Sequence, residues 1–355
     1  MKIPDLGLLI PALLLSIIGL IVVFSISPAN FSSQFVFLML GLVLFVLIAN
    51  LDFKLILAFS TWLYIATVIA LVLTLVVGTV TRGSTRWLPI GSYRLQVSEF
   101  MKPVLLVVLA QLSTLFNLRK FPRFLASLLV LGVPAMLVFL QPDLGTTVML
   151  SVVGGMGILA IRPRKRFVFM MLLLVLLISP VAWNMLADYQ KNRVTTFFNP
   201  DADPLGSSYN QIQATIAAGS GKIWGKGLGR GTQSHLQFLP EKQTDFFFAS
   251  MGEEFGFVGS VTVIGLLFVL SSRLIMLAGM TDQTSHRVVF LGVFVMVFIQ
   301  SVVHIGINLG SLPVTGLTLP LMSVGGSSVL ATWIGLGVAA SAAHAIKSDR
   351  AIFLN

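Results

Sequence analysis

The chain has 355 residues, 56% of them hydrophobic and 10% charged, with a formal net charge of +10 and no cysteine. A soluble domain carries about a quarter charged residues, so this composition excludes one, and the lack of cysteine excludes a disulfide framework or a thiolate metal site. Apolar runs of roughly 20 residues recur along the whole length, enough for a helix to cross a bilayer core, and they do not alternate as the strands of a membrane barrel would.

The first run, 6–26, follows a single basic residue, Lys2. It is longer than a signal-peptide core and no small-x-small site closes it, so a retained first helix is expected. Nine more helices are expected at about 34–50, 56–77, 98–117, 123–140, 143–161, 167–187, 246–271, 286–309 and 324–346. The fifth and sixth come from one apolar region, 124–161, that Gln141-Pro142-Asp143 divides, since proline and a charge are hard to bury mid-helix. The predicted fold is an all-α polytopic integral membrane protein. It has about ten transmembrane helices in one membrane domain over 1–355, and one large extracytoplasmic loop, 188–245, between the seventh and eighth.

Basic residues orient these spans. With the N-terminus in the cytoplasm, Lys2, Lys54, Arg119, Lys120, Arg123, Arg162, Arg164, Lys165, Arg166, Arg273, Arg287, Lys347 and Arg350 all fall on that side. The opposite loops 27–33, 141–142 and 310–323 hold no Lys or Arg. This is the positive-inside bias, and ten spans return the C-terminus to the cytoplasm. Two outer segments oppose it. The long one, 188–245, is weak evidence, because long loops cross regardless of charge. The short one, 78–97, carries Arg82, Arg86 and Arg94, with Lys102 just beyond. On one reading these cations meet headgroups or pair with acids. On the other they receive an anionic ligand, since the planar guanidinium matches phosphate oxygens.

That short segment reads TRGSTRWLPIGSYRLQVSEFMKP. Glycine and proline mark its turns, and Ser98 can cap a helix starting near Glu99. Glu99 and Lys102, three apart, share a helical face and can pair. Trp87 suits a membrane interface. In QPDLGT, 141–146, Asp143 opens a helix on the same side, where the helix dipole favours an acid with or without a further role. The glycine-rich stretch around Gly225-Lys226-Gly227-Leu228-Gly229-Arg230-Gly231 lacks Walker spacing and a βαβ context. It reads as an ordinary flexible loop or as a backbone cradle for an anion, with Lys222, Lys226 and Arg230 at hand.

PEKQTDFFFASMGEEFG, 240–256, runs from polar into apolar sequence, with Thr244 and Asp245 at the edge and Glu253 and Glu254 inside. From 257 to 270 is about 21 Å of helix, short of a roughly 30 Å core. The eighth helix is therefore expected to need 246–256 as well, carrying the two glutamates some 12 Å beyond Asp245. Acids at such depth face a bundle interior or a wet cavity. Asp245, where the helix emerges, is either a helix cap or a group open to ligand. The uncharged LPVTGLTLPLMSVGGSS, 312–328, is expected to pack re-entrantly against the helices, with Ser323 and Ser327 as polar contacts. Arg82, Arg86, Glu99, Lys102, Asp143 and Asp245 thus gather on one membrane face, which suits chemistry on a lipid-linked phosphate and implies no nucleic-acid partner.

In order along the chain, RGSTRWLPIGSYRLQVSEFMKP, QPDLGT, GTQSHLQFLPEKQTDFFFASMGEEFG and LPVTGLTLPLMSVGGSS resemble the motifs of the SEDS family (shape, elongation, division and sporulation). The resemblance runs from first helix to last. It implies a peptidoglycan glycosyltransferase that polymerises lipid II, an undecaprenyl pyrophosphate-linked sugar, outside the bacterial cytoplasmic membrane. It also implies a class B penicillin-binding protein as the transpeptidase partner. GTQ followed by FLPE resembles the elongation member most, and Gly252 leans towards the division member. Asp245, after Thr244 in the TDF motif, matches the essential aspartate; Glu99 and Lys102 match an acid and lysine pair, and Arg86 and Trp87 an RW pair. The implied reaction is an inverting displacement with Asp245 as base and Arg82, Arg86 and Lys102 on the pyrophosphate. In this scheme Glu99 orients Lys102, Trp87 and Asp143 also face substrate, and Thr244, Glu253, Glu254 and Ser323 give support. A divalent cation, magnesium or manganese, held by Asp143 and Asp245 is the cofactor expected if one is present. Val97 stands where the family has proline, and Val324 where it usually has tyrosine. Two other readings are a lipid II flippase or transporter and a structural partner that recruits the transpeptidase.

Overall fold

The computed structural model describes residues 4–81, 84–91, 93–115, 120–199, 208–236 and 238–353. Arg82, Lys2 and Arg119 lie outside the described residues, as do the side chains of Lys347 and Arg350. The ten helices expected from the apolar runs are all helical. They are α1 (Leu6–Ile26), α2 (Pro28–Asn50), α3 (Phe53–Val77), α4 (Val97–Leu115), α5 (Phe121–Leu140), α6 (Leu144–Ala160), α7 (Lys165–Met185), then, after three shorter helices, α11 (Phe247–Gly279), α12 (Thr284–Asn308) and α13 (Gly326–Phe353). Nine of the ten are long and apolar enough to cross a membrane, and α6, with 17 residues, is shorter.

Helix starts follow local chemistry. Asp5, Asp52 and Asp143 accept the backbone N–H groups of Gly7, Lys54 and Thr146 at 3.1, 2.9 and 3.2 Å. Each satisfies a donor that a helix N-terminus leaves open. Pro28 begins α2, where its missing N–H costs nothing. The most buried helices are α4, α12 and α13. α13 lies along α2 and α4, and α12 packs on α4, α6 and α11. In this core Trp333 of α13 meets Phe45 of α2 edge-on at 5.4 Å. α7 is peripheral: of its residues Phe167 is buried, stacked on Phe124 of α5 at 4.8 Å.

Four features depart from the sequence reading. The turn-rich segment after α3 is an antiparallel sheet of β1 (Thr79–Thr81), β2 (Ser84–Ile90) and β3 (Tyr93–Leu95) in that order, with Leu88 opposite Leu95 and Pro89 opposite Arg94. Ser98 does not cap the next helix. α4 already begins at Val97, and the buried Ser98 hydroxyl has no hydrogen-bond partner among the described residues. The segment 188–245, expected as loop, contains α8 (Asp188–Phe198), α9 (Tyr209–Ser220) and α10 (Thr232–His235), of which α9 packs on α11 and α12.

The fourth departure is α11. It runs on to Gly279 and is broken at Gly256, whose φ of 68° and ψ of −161° are not helical. After the break, 257–279 spans about 34 Å at 1.5 Å per residue, enough to cross a core alone. The eighth helix therefore does not need 246–256 for its length. Glu253 and Glu254 lie before the spanning stretch, not deep in the bundle. At the break the carbonyls of Glu253 and Glu254 accept from the N–H groups of Lys226 and Gly227, both at 3.0 Å. The N–H groups of Phe257 and Val258 donate to the carbonyls of Lys222 and Ile223 at 2.8 and 3.1 Å. The glycine-rich stretch thus replaces the helical bonds that the break forfeits, as apolar surroundings require. A Cβ at Gly256 would run into Gly225 N and Ile223 O. Gly256→Val is expected to lower the thermal unfolding midpoint in detergent by several degrees, through backbone strain of about 1–3 kcal/mol plus that clash. An unchanged midpoint would show that the break is not required.

Candidate active site

One end of the bundle gathers the polar residues. Arg86 comes from β2, Asp143 caps α6, Asp245 belongs to the turn 241–246 that leads into α11, and Gly316 lies between α12 and α13. Asp245 is half-buried and does not cap α11: the cap position is Phe246, with no side-chain capping bond. The turn is tied from several sides. Thr244 N and Phe246 N donate to Glu241 O at 3.2 and 3.1 Å, and Thr244 Oγ1 donates to Glu241 Oε2 at 3.0 Å. Val324 N donates to Gln243 O at 2.9 Å. From α12, Asn308 Nδ2 donates to Asp245 O at 3.0 Å, while its Oδ1 accepts from Ala249 N at 2.8 Å.

Two cavities flank Asp245. The larger, about 450 Å³, is lined by Trp87, Arg94, Gln96, Glu99 and Thr244 among others. The smaller, about 90 Å³, is lined by Asp143, Tyr189 and Arg193. Arg86, Asp245 and Gly316 line both, so they form the junction. Gly316 has a φ of 75°, and a Cβ there would lie 3.9 Å from both Arg86 Nη1 and Asp245 Oδ2. The missing side chain keeps the junction open.

Arg86 is held from behind. Its Nη1 stands 3.7 Å from Asp143 Oδ1, and its buried Nε has no hydrogen-bond partner among the described residues. The Asp143 carboxylate is engaged on both oxygens: Oδ1 accepts from Thr146 N at 3.2 Å, and Oδ2 accepts from Gln96 Nε2 and Thr146 Oγ1 at 2.8 and 3.0 Å. With donors on both oxygens and a guanidinium beside it, Asp143 does not fit a ligand to the divalent cation expected with Asp245. Among the described residues no group of three or more His, Cys, Asp or Glu is arranged to hold a metal ion. Tyr189 donates to Pro142 O at 2.7 Å. Burial raises its pKa, against the pull of Arg193 and Arg86, so the phenol stays a donor at neutral pH.

Lys102 is not where the sequence reading put it. It is 1% exposed and lines neither cavity. Its ammonium is taken by Glu99 Oε2 at 2.8 Å and Gln300 Oε1 at 2.9 Å. Gln300 Nε2 in turn donates to Thr318 O at 2.9 Å, and Thr318 Oγ1 to Ser328 Oγ at 2.8 Å. Lys102 therefore braces the wall that Glu99 lines. Ser323 is buried too: its Oγ accepts from Leu319 N at 2.9 Å and its carbonyl from Gln34 Nε2 at 3.0 Å, so it shapes the segment and leaves the cavity to others. Ser327 Oγ accepts from Gln96 N at 2.9 Å. Gln96, Thr146, Tyr189, Gln300 and Asn308 were missed in the sequence. For two of them a signal existed: Gln300, His304 and Asn308 recur every four residues, one polar face on an apolar helix.

Glu253 and Glu254 stand apart from both cavities. Glu253 accepts from Gln233 N, Ser234 N and Ser234 Oγ at 2.9, 3.0 and 2.8 Å and pairs with Lys226 at 2.8 Å. Glu254 accepts from Ser25 Oγ and Gly229 N at 2.5 and 3.0 Å and faces His235 Nε2 at 2.9 Å. Together they clamp 225–235 to α11 and α1. Lys242 donates to Ser234 O, and burial lowers its pKa against the opposing pull of Glu254.

A bundle of long apolar helices with two polar cavities at one end defines a polytopic membrane protein. The profile of FtsW, RodA and SpoVE, described as a cell cycle protein family, matches residues 6–348. Peptidoglycan glycosyltransferase MrdB of Escherichia coli (strain K12) is 34% identical over 344 residues, 93% of this chain and 92% of its own. Stage V sporulation protein E of Bacillus subtilis (strain 168) is 37% identical over 355 residues, 94% of this chain and 95% of its own. A chain from a peptidoglycan synthase complex, solved for the structural coordination of polymerization and crosslinking, matches with a TM-score of 0.81 at 30% identity, covering 98% of this chain and 99% of its own. The chain belongs to the FtsW/RodA/SpoVE family, the SEDS family that its motifs resemble.

Glu253→Ala leaves the buried Ser234 amide, the part-buried Gln233 amide and Lys226 without their acceptor, at a cost of roughly 3 kcal/mol. Hydrogen exchange at Gln233 and Ser234 is expected to accelerate; exchange at the native rate would show that the clamp is not what holds the stretch.

Proposed function

We propose that the protein polymerises lipid II into glycan strands at the extracytoplasmic face of the bacterial cytoplasmic membrane, in cell elongation, with Asp245 as general base. It is a peptidoglycan glycosyltransferase of the family to which it belongs. The observation that carries the mechanism is the junction, where Asp245 and Arg86 line both cavities around Gly316. The two cavities take the two sugars. The acceptor 4-hydroxyl oxygen attacks the anomeric carbon of the donor, and its proton passes to the Asp245 carboxylate. The bond from that carbon to the pyrophosphate oxygen breaks on the opposite side, inverting the centre, and its electron pair leaves with the pyrophosphate. Arg86, with Asp143 behind it, meets the charge that develops there. Trp87 and Glu99 line the wall, and Lys102 and Gln300 hold Glu99 in place.

The elongation role rests on GTQ followed by FLPE at 231–241, which resembles the elongation member. The partner is a class B penicillin-binding protein that crosslinks the strands; the complex of the similar solved chain, which couples polymerization and crosslinking, supports this.

The test is polymerisation of lipid II in detergent by the purified protein with its partner, where transport across a membrane has no meaning. Asp245→Asn is expected to lower the rate by at least about a hundredfold, the usual worth of a positioned base, with an unchanged thermal midpoint. Native polymer yield from this variant would remove Asp245 as base. Arg86→Glu is expected to abolish turnover, and an unaltered rate would take Arg86 out of the site.

A further inference from the structure

The outer side of 222–230 is apolar and exposed, although its backbone is pinned. Trp224 is 79% exposed, with Ile223 and Leu228 exposed beside it. Two helices set its position relative to a bilayer. Lys222 and Ile223 bond to Phe257 and Val258, the first residues of the roughly 34 Å stretch 257–279. Gly229 N donates at 2.9 Å to Ser25 Oγ, one residue before the end of α1, whose 21 residues span about 31 Å. Both helix ends mark the edge of a roughly 30 Å core, so 222–229 lies at that edge. The apolar surface continues along the same two helices through the exposed Ile21, Phe24, Phe257 and Val261. Lys222 and Arg230 are exposed at the ends of the stretch.

We propose that 222–230 is an interfacial wedge for anionic phospholipid. Trp224, Ile223 and Leu228 enter the edge of the hydrocarbon core, and Lys222 and Arg230 bind headgroup phosphates in the same leaflet. Tryptophan favours this zone because an apolar ring carries a polar N–H, and a cation near an anionic surface is drawn to it. The rigid backbone matters: four bonds to α11 and the Glu253–Glu254 clamp hold the side chains outward before any lipid binds. This surface is separate from the two cavities and carries no part of the transfer reaction.

The test uses the purified protein in phosphatidylcholine vesicles with bromine on the acyl chains. The emission difference between wild type and Trp224→Phe isolates Trp224 from Trp62, Trp87, Trp183 and Trp333. Bromine near the headgroup end is expected to quench that difference more strongly than bromine near the chain terminus. No quenching at either depth would overturn the wedge, placing Trp224 in water or against a protein. For the headgroup half, native mass spectrometry follows lipid retained from mixed phosphatidylglycerol and phosphatidylcholine. The double variant Lys222→Gln, Arg230→Gln is expected to keep several-fold less phosphatidylglycerol with phosphatidylcholine unchanged. Equal retention by variant and wild type would remove the phosphate contacts. Thermal midpoints of all variants, expected to match wild type, show that the fold is intact.

Discussion

A backbone amide that leaves its helix and is buried away from water must find another partner. The break at Gly256 is where this rule shapes the molecule. Two carbonyls and two N–H groups of α11 leave the helical ladder, and 222–227 meets all four. The glycine-rich stretch is therefore part of the helix's own bonding, not a tether between helices. Once it lies there, its free amides at Gly229, Gln233 and Ser234 need acceptors, and Glu254 and Glu253 supply them. Lys242 then reaches back to Ser234 O, which joins the clamp to the turn that carries Asp245. One irregular residue thus fixes the approach to the site.

The opposite wall is built the same way from distant parts of the chain. Arg86 on β2, Gln96 before α4 and Thr146 on α6 all meet at Asp143. Lys102 on α4 and Gln300 on α12 meet Glu99 and Thr318. Burying charge is costly unless each group is matched, and these networks match theirs. A matched network in a medium of low dielectric is stiff. Such stiffness, present before substrate arrives, is what the proposed displacement would need for charge stabilisation.

Much of this was legible in the sequence. The apolar runs gave ten helix positions, Asp143 read as a helix cap, and the spacing of Glu99 and Lys102 read as a pair; the structure has all three. The end of α11 was not legible for a definite reason. Ser271-Ser272-Arg273 reads as the exit from a membrane, yet Arg273 is bonded to Asp5 at 2.9 and 2.6 Å, so its charge is met and the helix continues six residues past it to Gly279. That single long-range pair displaced the inferred depth of Glu253 and Glu254. The sheet escaped notice because two of its strands have only three residues, and Ser84–Ile90, the longer one, does not alternate polar and apolar. Lys102 looked like a ligand for phosphate because its partner Gln300 lies 198 residues away.

The acids of this chain divide by how their oxygens are used. Glu253 and Asp143 are surrounded by donors on both oxygens and serve as structure. Asp245 is half-buried and lines both cavities. In the proposed displacement the base takes a proton from the acceptor hydroxyl, which must itself stand beside the anomeric carbon of the donor. A base at the far wall of either cavity would reach one sugar alone. The junction is the place from which one carboxylate serves both, and glycine at 316 leaves that place open. The position of Asp245, lining both cavities, is what the proposed reaction asks of its base.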